Sequence, residues 1–361
     1  MPGDGTIRVL VVDDSAVMRK LISGILDREA EIEVVATAID GDFALNKIEQ
    51  IKPDVITMDI DMPRMDGITA LNHIAARHSI PVVMLSSLTS RGAAMTMQAL
   101  ELGAVDFVCK PVSVADIASV AEELIAKVKG ASRMSNGARR LFPARRGGNF
   151  GKGKLNGGDS RADKIVAIGA SSGGPYALRT LLPQIPRSFA AGIVIVQHMP
   201  ENFTTMLAHW LDDICEINVK EASNGDMVIP GSALIAPGGY HMGIRKKLGG
   251  AEVFLERGEP VNGHRPSVEV LFQSVVKEYG SNATAVIMTG MGNDGSNAIG
   301  EIKEAGGKTI AQDEASCAVY GMPRLAVEKG FIDRVVSLSG MADCLLTEVG
   351  ERIGVERGNN A

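Results

Sequence analysis

Three residues that could together carry out acyl transfer, Ser171, His198 and Asp294, each lie just beyond an apolar stretch of strand length. The carboxyl ends of parallel strands meet at one edge of a sheet, so we expect the three side chains to lie close together. A serine hydroxyl is a poor nucleophile near neutrality, but an imidazole can take its proton while a carboxylate orients the imidazole. Taken singly, such a histidine or aspartate is more often structural. The three together predict a Ser-His-Asp hydrolase.

The turn that carries Ser171 admits a second interpretation. Residues 164–175 read KIVAIGASSGGP, which fits the G-x-S-x-G pattern of a nucleophile turn but would also suit a cradle for a phosphate group. A dinucleotide site is disfavoured, because the turn lacks G-x-G-x-x-G and the following strand ends in Gln197 and His198 instead of an acid. The order Ser, His, Asp differs from that of the α/β-hydrolases. Backbone N–H groups of the turns, with Met291 as a candidate, could hold the oxyanion.

The segment after Asp163 resembles the catalytic domain of the chemotaxis protein-glutamate methylesterases. The resemblance rests on ordered blocks that read IGASSGGP, QHMP, PVNGHRPSVEV, TGMGNDG and TIAQDEASCAVYGMP. It implies hydrolysis of glutamyl methyl esters on chemoreceptors, and in some members deamidation of receptor glutamines, with Ser171, His198 and Asp294 at the positions of the family triad. The family often has threonine where this chain has Ser172. Serine keeps the hydroxyl, and we group Ser172 with Met291 as auxiliary residues.

The first part of the chain alternates strand and helix patterns five times between residue 7 and about residue 128. Apolar runs predict strands at Ile7–Val12, Ile32–Ala38, Asp54–Met58, Pro81–Leu85 and Ala104–Val108. Helical patterns lie between them, as in Ala16–Glu29 and Ile68–Arg77, and a last amphipathic stretch covers Val114–Val128. Such alternation predicts a five-stranded doubly wound parallel sheet, ahead of a second, doubly wound parallel-sheet α/β hydrolytic domain.

Polar groups stand at four of these five strand ends. Asp13 and Asp14 close the first strand, Asp59 follows the third, Ser86 the fourth and Lys110 the fifth. Adjacent carboxylates can hold Mg²⁺, and a third can be both ligand and phosphoryl acceptor. A lysine would neutralise the growing charge, and a hydroxyl could bond a phosphate oxygen. The simpler interpretation, solvated acids that cap strands, does not explain so many such groups at one edge.

This stretch resembles the receiver domain of two-component response regulators over its whole length, most strongly at MDIDMPRMDG, residues 58–67. The resemblance implies that Asp59 is the phospho-acceptor and that Asp13 and Asp14 bind magnesium with it. It also implies that Ser86 and Lys110 are the switch hydroxyl and lysine, and that a histidine kinase of the chemotaxis array supplies the phosphoryl group.

The expected domains are a receiver at 1–130, a flexible basic linker at 131–162 and a methylesterase domain at 163–361. The linker holds eight Lys/Arg against one acid and seven glycines, a composition that cannot bury a core. Its charge could also tether an acidic partner or a membrane surface. In the last domain, residues 240–242 are expected to form a loop, and His264 with Arg265 could shape the pocket without being catalytic.

Composition excludes several classes of protein. The 361 residues carry a net charge of −6, so binding of nucleic acid by the whole chain is not expected. Four scattered cysteines suggest neither a disulfide framework nor a zinc site. With no signal peptide and no membrane-length apolar run, we expect a cytoplasmic protein that is not inserted in a membrane. The rival interpretation is a binding module that docks on receptors or a kinase without turnover; an esterase of a non-chemotactic array also stays open.

Overall fold

Five parallel strands form the sheet of the N-terminal domain, in the computed structural model that describes residues 5–134, 162–248 and 250–350. The strands are β1 (Ile7–Val12), β2 (Ile32–Ala38), β3 (Val55–Asp59), β4 (Val82–Ser86) and β5 (Asp106–Cys109). The helices are α1 (Ala16–Leu26), α2 (Gly41–Ile51), α3 (Gly67–Arg77), α4 (Ser90–Glu101) and α5 (Ile117–Met134). The sheet order is β2-β1-β3-β4-β5, and every pairing is parallel. The predicted fold class is confirmed.

Local sequence signals explain where these helices begin. The side chains of Ser15, Asp40, Asp66 and Thr89 each precede a helix and accept a hydrogen bond from a backbone N–H of its first turn. Such caps satisfy donors that have no partner within the helix. The last helix, α5, continues to Met134, beyond the boundary expected at residue 130. Residues 135–161 of the predicted linker lie outside the described residues.

The C-terminal domain is built on a seven-stranded parallel sheet. Its strands, with those of a smaller sheet, are β6 (Lys164–Ala170), β7 (Ala191–Gln197), β8 (Asn218–Glu221), β9 (Met227–Val228), β10 (Ser232–Ile235), β11 (His241–Lys247), β12 (Gly250–Glu256), β13 (Ala283–Ile287), β14 (Lys308–Gln312) and β15 (Arg334–Val336). The order of the large sheet is β15-β14-β13-β6-β7-β10-β8. The three strands that precede the candidate triad, β13, β6 and β7, are therefore neighbours at its centre.

Helices cover this sheet, and a small antiparallel sheet extends it. The helices are α6 (Gly174–Leu181), α7 (Phe203–Ile214), α8 (Val268–Tyr279), α9 (Ala298–Glu304), α10 (Met322–Glu328) and α11 (Met341–Val349). Strands β11, β12 and β9 pair antiparallel. The expectation of a loop at residues 240–242 holds for Tyr240, which lies in a bend, but is wrong for His241 and Met242, which begin β11 and are buried. No helix in the described ranges has the length and apolar character needed to cross a membrane.

The two domains pack directly on each other through α4, β5 and α5 of the first and α6, α7 and the loop before α10 of the second. The rings of Phe107 and Phe203 stack with centroids 5.0 Å apart and an interplanar angle of 8°. Arg179 Nη1 donates to the carbonyl of Leu100 at 2.9 Å. We call this contact the domain interface. It lies on the side of the second domain that carries the serine turn.

Candidate functional site

Ser171 stands in a sharp strand-to-helix turn between β6 and α6. Its backbone N–H donates to Thr289 O at 3.0 Å, and its carbonyl accepts from Gly174 N at 2.8 Å. Gly173 has φ +77°, a conformation that favours glycine, and a Cβ there would meet Ala318 Cβ at 2.5 Å. The local geometry is therefore that of the turn predicted from the G-x-S-x-G pattern.

His198 follows β7, the strand next to β6. Its backbone N–H donates to Ala170 O at 3.0 Å, which places it beside the serine turn. In the side chain, Nε2 lies 2.9 Å from Asp294 Oδ2, while Nδ1 is buried and has no hydrogen-bond partner among the described residues. The structure thus brings His198 and Asp294 together and leaves Nδ1 as the nitrogen available to a serine hydroxyl.

Asp294 is fully buried, and its carboxylate accepts five hydrogen bonds. Beside His198, the donors are Asn262 Nδ2 at 2.9 Å, Ser267 Oγ at 2.8 Å, and the backbone N–H groups of Val268 at 2.6 Å and Glu269 at 3.3 Å. Burial by itself would raise the pKa of this carboxyl, but the bonds from His198, Asn262 and Ser267 outweigh it and lower the pKa to about 2. Asp294 is therefore ionised at neutral pH.

The loop before α8 supplies functional neighbours that sequence reasoning missed. Asn262 has φ +53°, and the Asn-Gly pair that it begins is a recognisable turn signal. Ser267 caps α8 by accepting a hydrogen bond from Val270 N. A serine immediately before an apolar helical run is a recognisable signal for such a cap. Neither signal says that both side chains also bond Asp294. That role depends on the loop folding back onto the edge of the sheet.

A second imidazole covers the face of the first. The rings of His264 and His198 stack with centroids 3.8 Å apart and an interplanar angle of 12°. Burial, and next the nearby His198, lower the pKa of His264 to about 4, so this ring is neutral at neutral pH. The expectation that His264 shapes the pocket stays a prediction. The structure shows only that its ring lies against His198.

Of the two auxiliary candidates, Ser172 follows Ser171 in the chain, and Met291 follows Gly290, which packs against Ser171. The buried Ser172 offers its carbonyl to Thr289 Oγ1 at 2.8 Å. Met291 follows Gly290, and a Cβ at Gly290 would meet Ser171 Cβ at 2.8 Å. The backbone at Met291 therefore passes close to the nucleophile turn, while its role toward an oxyanion stays a prediction.

The acidic candidates of the first domain form one cluster at the carboxyl edge of its sheet. Oxygens of Asp13, Asp14 and Asp59 lie within 4.8 Å of one another. Lys110 Nζ lies 2.8 Å from Asp13 Oδ2 and 2.7 Å from Asp59 Oδ2. Burial, together with the charges of Asp13 and Asp14, raises the pKa of Asp59 to about 6, although Lys110 opposes the rise. Clustered carboxylates of this kind suit a hard cation.

Ser86 is the last residue of β4 and is fully buried. Its Oγ accepts from Thr96 Oγ1 at 2.8 Å and lies 3.3 Å from Gly92 O, both on α4. The sheet places it next to the acidic cluster, since its neighbour Leu85 pairs with Asp59. In this state the hydroxyl is bonded into α4.

One buried acid of the first domain bonds the turn that carries Ser171, and it was not among the predicted site residues. Asp106, at the start of β5, accepts from Gly173 N at 2.6 Å, and Lys127 Nζ lies 3.2 Å from its other oxygen. Lys127 also pairs with Glu123 at 2.6 Å. Burial raises the pKa of Asp106, and the charge of Lys127 opposes the rise. An acid inside the apolar run 104–108 was the available signal.

Comparisons with known proteins agree with this architecture. The family model described as response regulator receiver domain matches residues 9–122, and the model described as CheB methylesterase matches residues 166–345. The catalytic domain of Thermotoga maritima CheB methylesterase is similar in structure, with a TM-score of 0.50 and 41% identity over 51% of this chain and 97% of that one.

Full-length relatives share both domains. The chain is 46% identical to a protein-glutamate methylesterase/protein-glutamine glutaminase of Archaeoglobus fulgidus, over 93% of this chain and 96% of the relative. It is 48% identical to protein-glutamate methylesterase/protein-glutamine glutaminase 2 of Koribacter versatilis, over 95% of this chain and 96% of the relative. The resemblance seen in the sequence is thereby confirmed: the chain belongs to the family of CheB methylesterases that carry a response regulator receiver domain.

Proposed function

We propose that this chain works in the cytoplasm as a phosphorylation-activated esterase, which hydrolyses glutamyl methyl esters on chemoreceptors by a Ser-His-Asp mechanism. The observation that carries the proposal is the placement of His198, whose Nε2 is held by Asp294 while the buried Nδ1 has no partner among the described residues beside the serine turn. The names of the relatives supply the substrate class.

The chemistry proceeds in two steps. Ser171 Oγ attacks the ester carbonyl as His198 Nδ1 takes the hydroxyl proton; this proton then passes to the departing oxygen, so methanol leaves and a glutamyl-serine ester remains. Water attacks that ester, His198 takes a proton from the water and returns it to Ser171, and the glutamic acid that leaves gives its remaining proton to solvent and becomes a carboxylate. We propose that Asp294 stabilises the imidazolium in each step and that the N–H of Met291 holds the oxyanion. A glutamine amide would follow the same route with loss of ammonia.

The acidic cluster supports control by phosphorylation. We propose that Asp59 accepts a phosphoryl group from a histidine kinase of the chemotaxis array. Asp13, Asp14 and Asp59 offer oxygen ligands close enough to share one Mg²⁺, which would neutralise charge on the phosphoryl oxygens. Lys110, already bonded to Asp59, would move its contact to the phosphoryl group.

The domain interface supports restraint of the unphosphorylated enzyme. Asp106 holds the N–H of Gly173, two residues beyond the nucleophile, and thereby places a carboxylate at the turn where an oxyanion must form. Lys110 directly follows β5, which carries Asp106, so a new contact of Lys110 can displace this strand. Phosphorylation would shift the population toward an arrangement in which the serine turn is released and a receptor segment can enter.

The test is release of methanol from methylated receptor membranes. We expect release that is lost in Ser171→Ala and that rises when a small-molecule phosphodonor and Mg²⁺ are added. Release that persists in Ser171→Ala would exclude the proposed nucleophile. No release by the wild-type chain under either condition would favour the docking module over the esterase.

A further inference from the structure

A single side chain, that of Gln197, bonds the backbones of both Ser171 and His198. Gln197 is the last residue of β7 and is only 1% exposed. Its Nε2 donates to the carbonyl of Ser171 at 2.9 Å and to the carbonyl of His198 at 3.2 Å. Both N–H groups of the amide are thus used, one on the residue that bears the nucleophile and one on the residue that bears the base.

These two contacts decide how the amide is oriented. Gln197 Oε1 is buried and has no hydrogen-bond partner among the described residues. Rotation of the amide by half a turn would set this oxygen against the two carbonyls and remove both donors. A buried acceptor without a partner costs about 1–3 kcal/mol, so the side chain keeps this orientation because of its two N–H contacts.

The contacts lie at the point where the sheet no longer fixes the two residues. Ala170 pairs with Gln197 at the end of the β6–β7 ladder, and one further bond, from His198 N to Ala170 O, follows it. Ser171 and His198 lie beyond the strands, yet proton transfer between their side chains requires a separation of roughly 2.6–3.2 Å. The amide of Gln197 ties the two backbones together one residue past the ladder.

We propose that Gln197 is a positioning residue of the esterase, which sets the separation and orientation of Ser171 and His198. The inference rests on the Ser-His-Asp mechanism proposed above. Small displacements of reacting groups cost about 100-fold in rate, so loss of this tie lowers the rate of the chemical steps and leaves substrate binding unchanged.

Gly174 offers an independent way to disturb the same amide. A Cβ built on Gly174 would lie 1.8 Å from Gln197 Oε1, 2.7 Å from its Cδ and 3.0 Å from its Nε2. These are the three atoms nearest to that Cβ, so a methyl group at residue 174 would displace the amide of Gln197 before it met any other group. Gly174→Ala therefore moves the tie without removing it.

The experiment uses the full chain with phosphodonor and Mg²⁺. Gln197→Met and Gly174→Ala are each compared with wild type. The double variant Gly174→Ala/Gln197→Ala is compared with the single variant Gln197→Ala. Thr309→Val is the control for lost stability, because the buried Thr309 has its Oγ1 2.8 Å from Phe331 O and 3.0 Å from Asp333 Oδ2, away from the triad. The readouts are kcat and KM for methanol release, the rate of inactivation by a serine-directed sulfonyl fluoride, and the thermal midpoint.

We expect Gln197→Met to lower both kcat and the inactivation rate about 10-fold to 100-fold with KM within about twofold of wild type. Gly174→Ala should lower kcat by itself but change it less than about twofold in the Gln197→Ala background, where the methyl group has room. Thr309→Val should lower the thermal midpoint and keep kcat.

Three results would overturn the inference. The first is a kcat for Gln197→Met within about twofold of wild type. The second, decisive if Gln197→Met does not fold, is an unchanged kcat for Gly174→Ala. The third is a loss of kcat in Thr309→Val that matches its loss of stability. By contrast, a wild-type chain that releases no methanol, or a fully active Ser171→Ala, would count against the proposed function.

Discussion

Replacement of Asp106 by asparagine should raise the esterase activity of the unphosphorylated enzyme. The carboxylate of Asp106 accepts a 2.6 Å hydrogen bond from Gly173 N across the domain interface. Asparagine keeps an oxygen at this place but removes the charge, so a charge-assisted bond becomes a neutral one. Lys127, which lies 3.2 Å from the other oxygen of Asp106, also pairs with Glu123 of the same domain and so keeps an acidic partner in the variant.

The size of the effect follows from the type of bond that changes. Hydrogen bonds to charged groups contribute about 1.5–3 kcal/mol and neutral ones about 0.5–1.5 kcal/mol, a difference of about 1–1.5 kcal/mol in favour of the restrained arrangement. Since about 1.4 kcal/mol is a factor of ten in an equilibrium constant, we expect basal activity to rise about 5-fold to 10-fold. Activity with saturating phosphodonor should be unchanged.

The assay is methanol release without and with phosphodonor, for wild type and Asp106→Asn. Asp116→Asn is the matched control, because Asp116 is an acid of the same domain that bonds Ser113 and makes no contact across the interface in the described structure. A basal rate for Asp106→Asn equal to that of wild type would refute the proposal that this carboxylate restrains the serine turn. An equal rise in Asp116→Asn would do the same.

Three further predictions concern the triad and the phosphorylation site. Asp294→Asn should lower kcat for methanol release about 10³-fold to 10⁴-fold, because the imidazole loses the partner that holds its tautomer; a loss below about tenfold would contradict this. The pKa of His264, about 4, lies below its ordinary 6.5, so the unfolded chain binds the proton first and the free energy of unfolding falls as pH drops from about 6.5 to about 4. His264→Phe keeps the stack on His198 and should flatten this fall in urea unfolding across that range; an unchanged slope would count against it. Lys110→Met removes the cation bonded to Asp59, so phosphodonor should no longer stimulate methanol release, and full stimulation would argue against a switch role.

Apolar runs predicted the strands well where burial alone decides the element. Ile7–Val12 and Ile32–Ala38 coincide with the predicted strands, because polar residues or turns bound these runs on both sides. The run Ala104–Val108 was less accurate, since β5 begins at Asp106. The strand β11 was missed altogether, because its first four residues are buried and its last three exposed, so it lacks the alternation that is typical of a half-buried antiparallel strand.

The candidate site residues also include some that the sequence predicted and some that it did not. The residue types at the strand ends, such as Ser171 after β6 and Asp59 in β3, could be read from the sequence because a parallel sheet gathers its carboxyl ends at one edge. Resemblance to known families then supplied the expected roles. Asp106 and Gln197 were visible as an acid in an apolar run and as the first residue of the block QHMP, but neither pattern indicates which backbone groups the side chain bonds.

The sequence by itself determined the two parallel sheets and the edge at which each candidate group stands, because burial and strand ends are local properties that composition and periodicity encode. Only the tertiary structure decided that His198 faces Asp294 through Nε2, that the loop before α8 supplies Asn262 to the same carboxylate, and that Asp106 reaches Gly173 across 67 residues of chain. These contacts join side chains from elements far apart in sequence. They depend on how the elements pack, which no local pattern specifies.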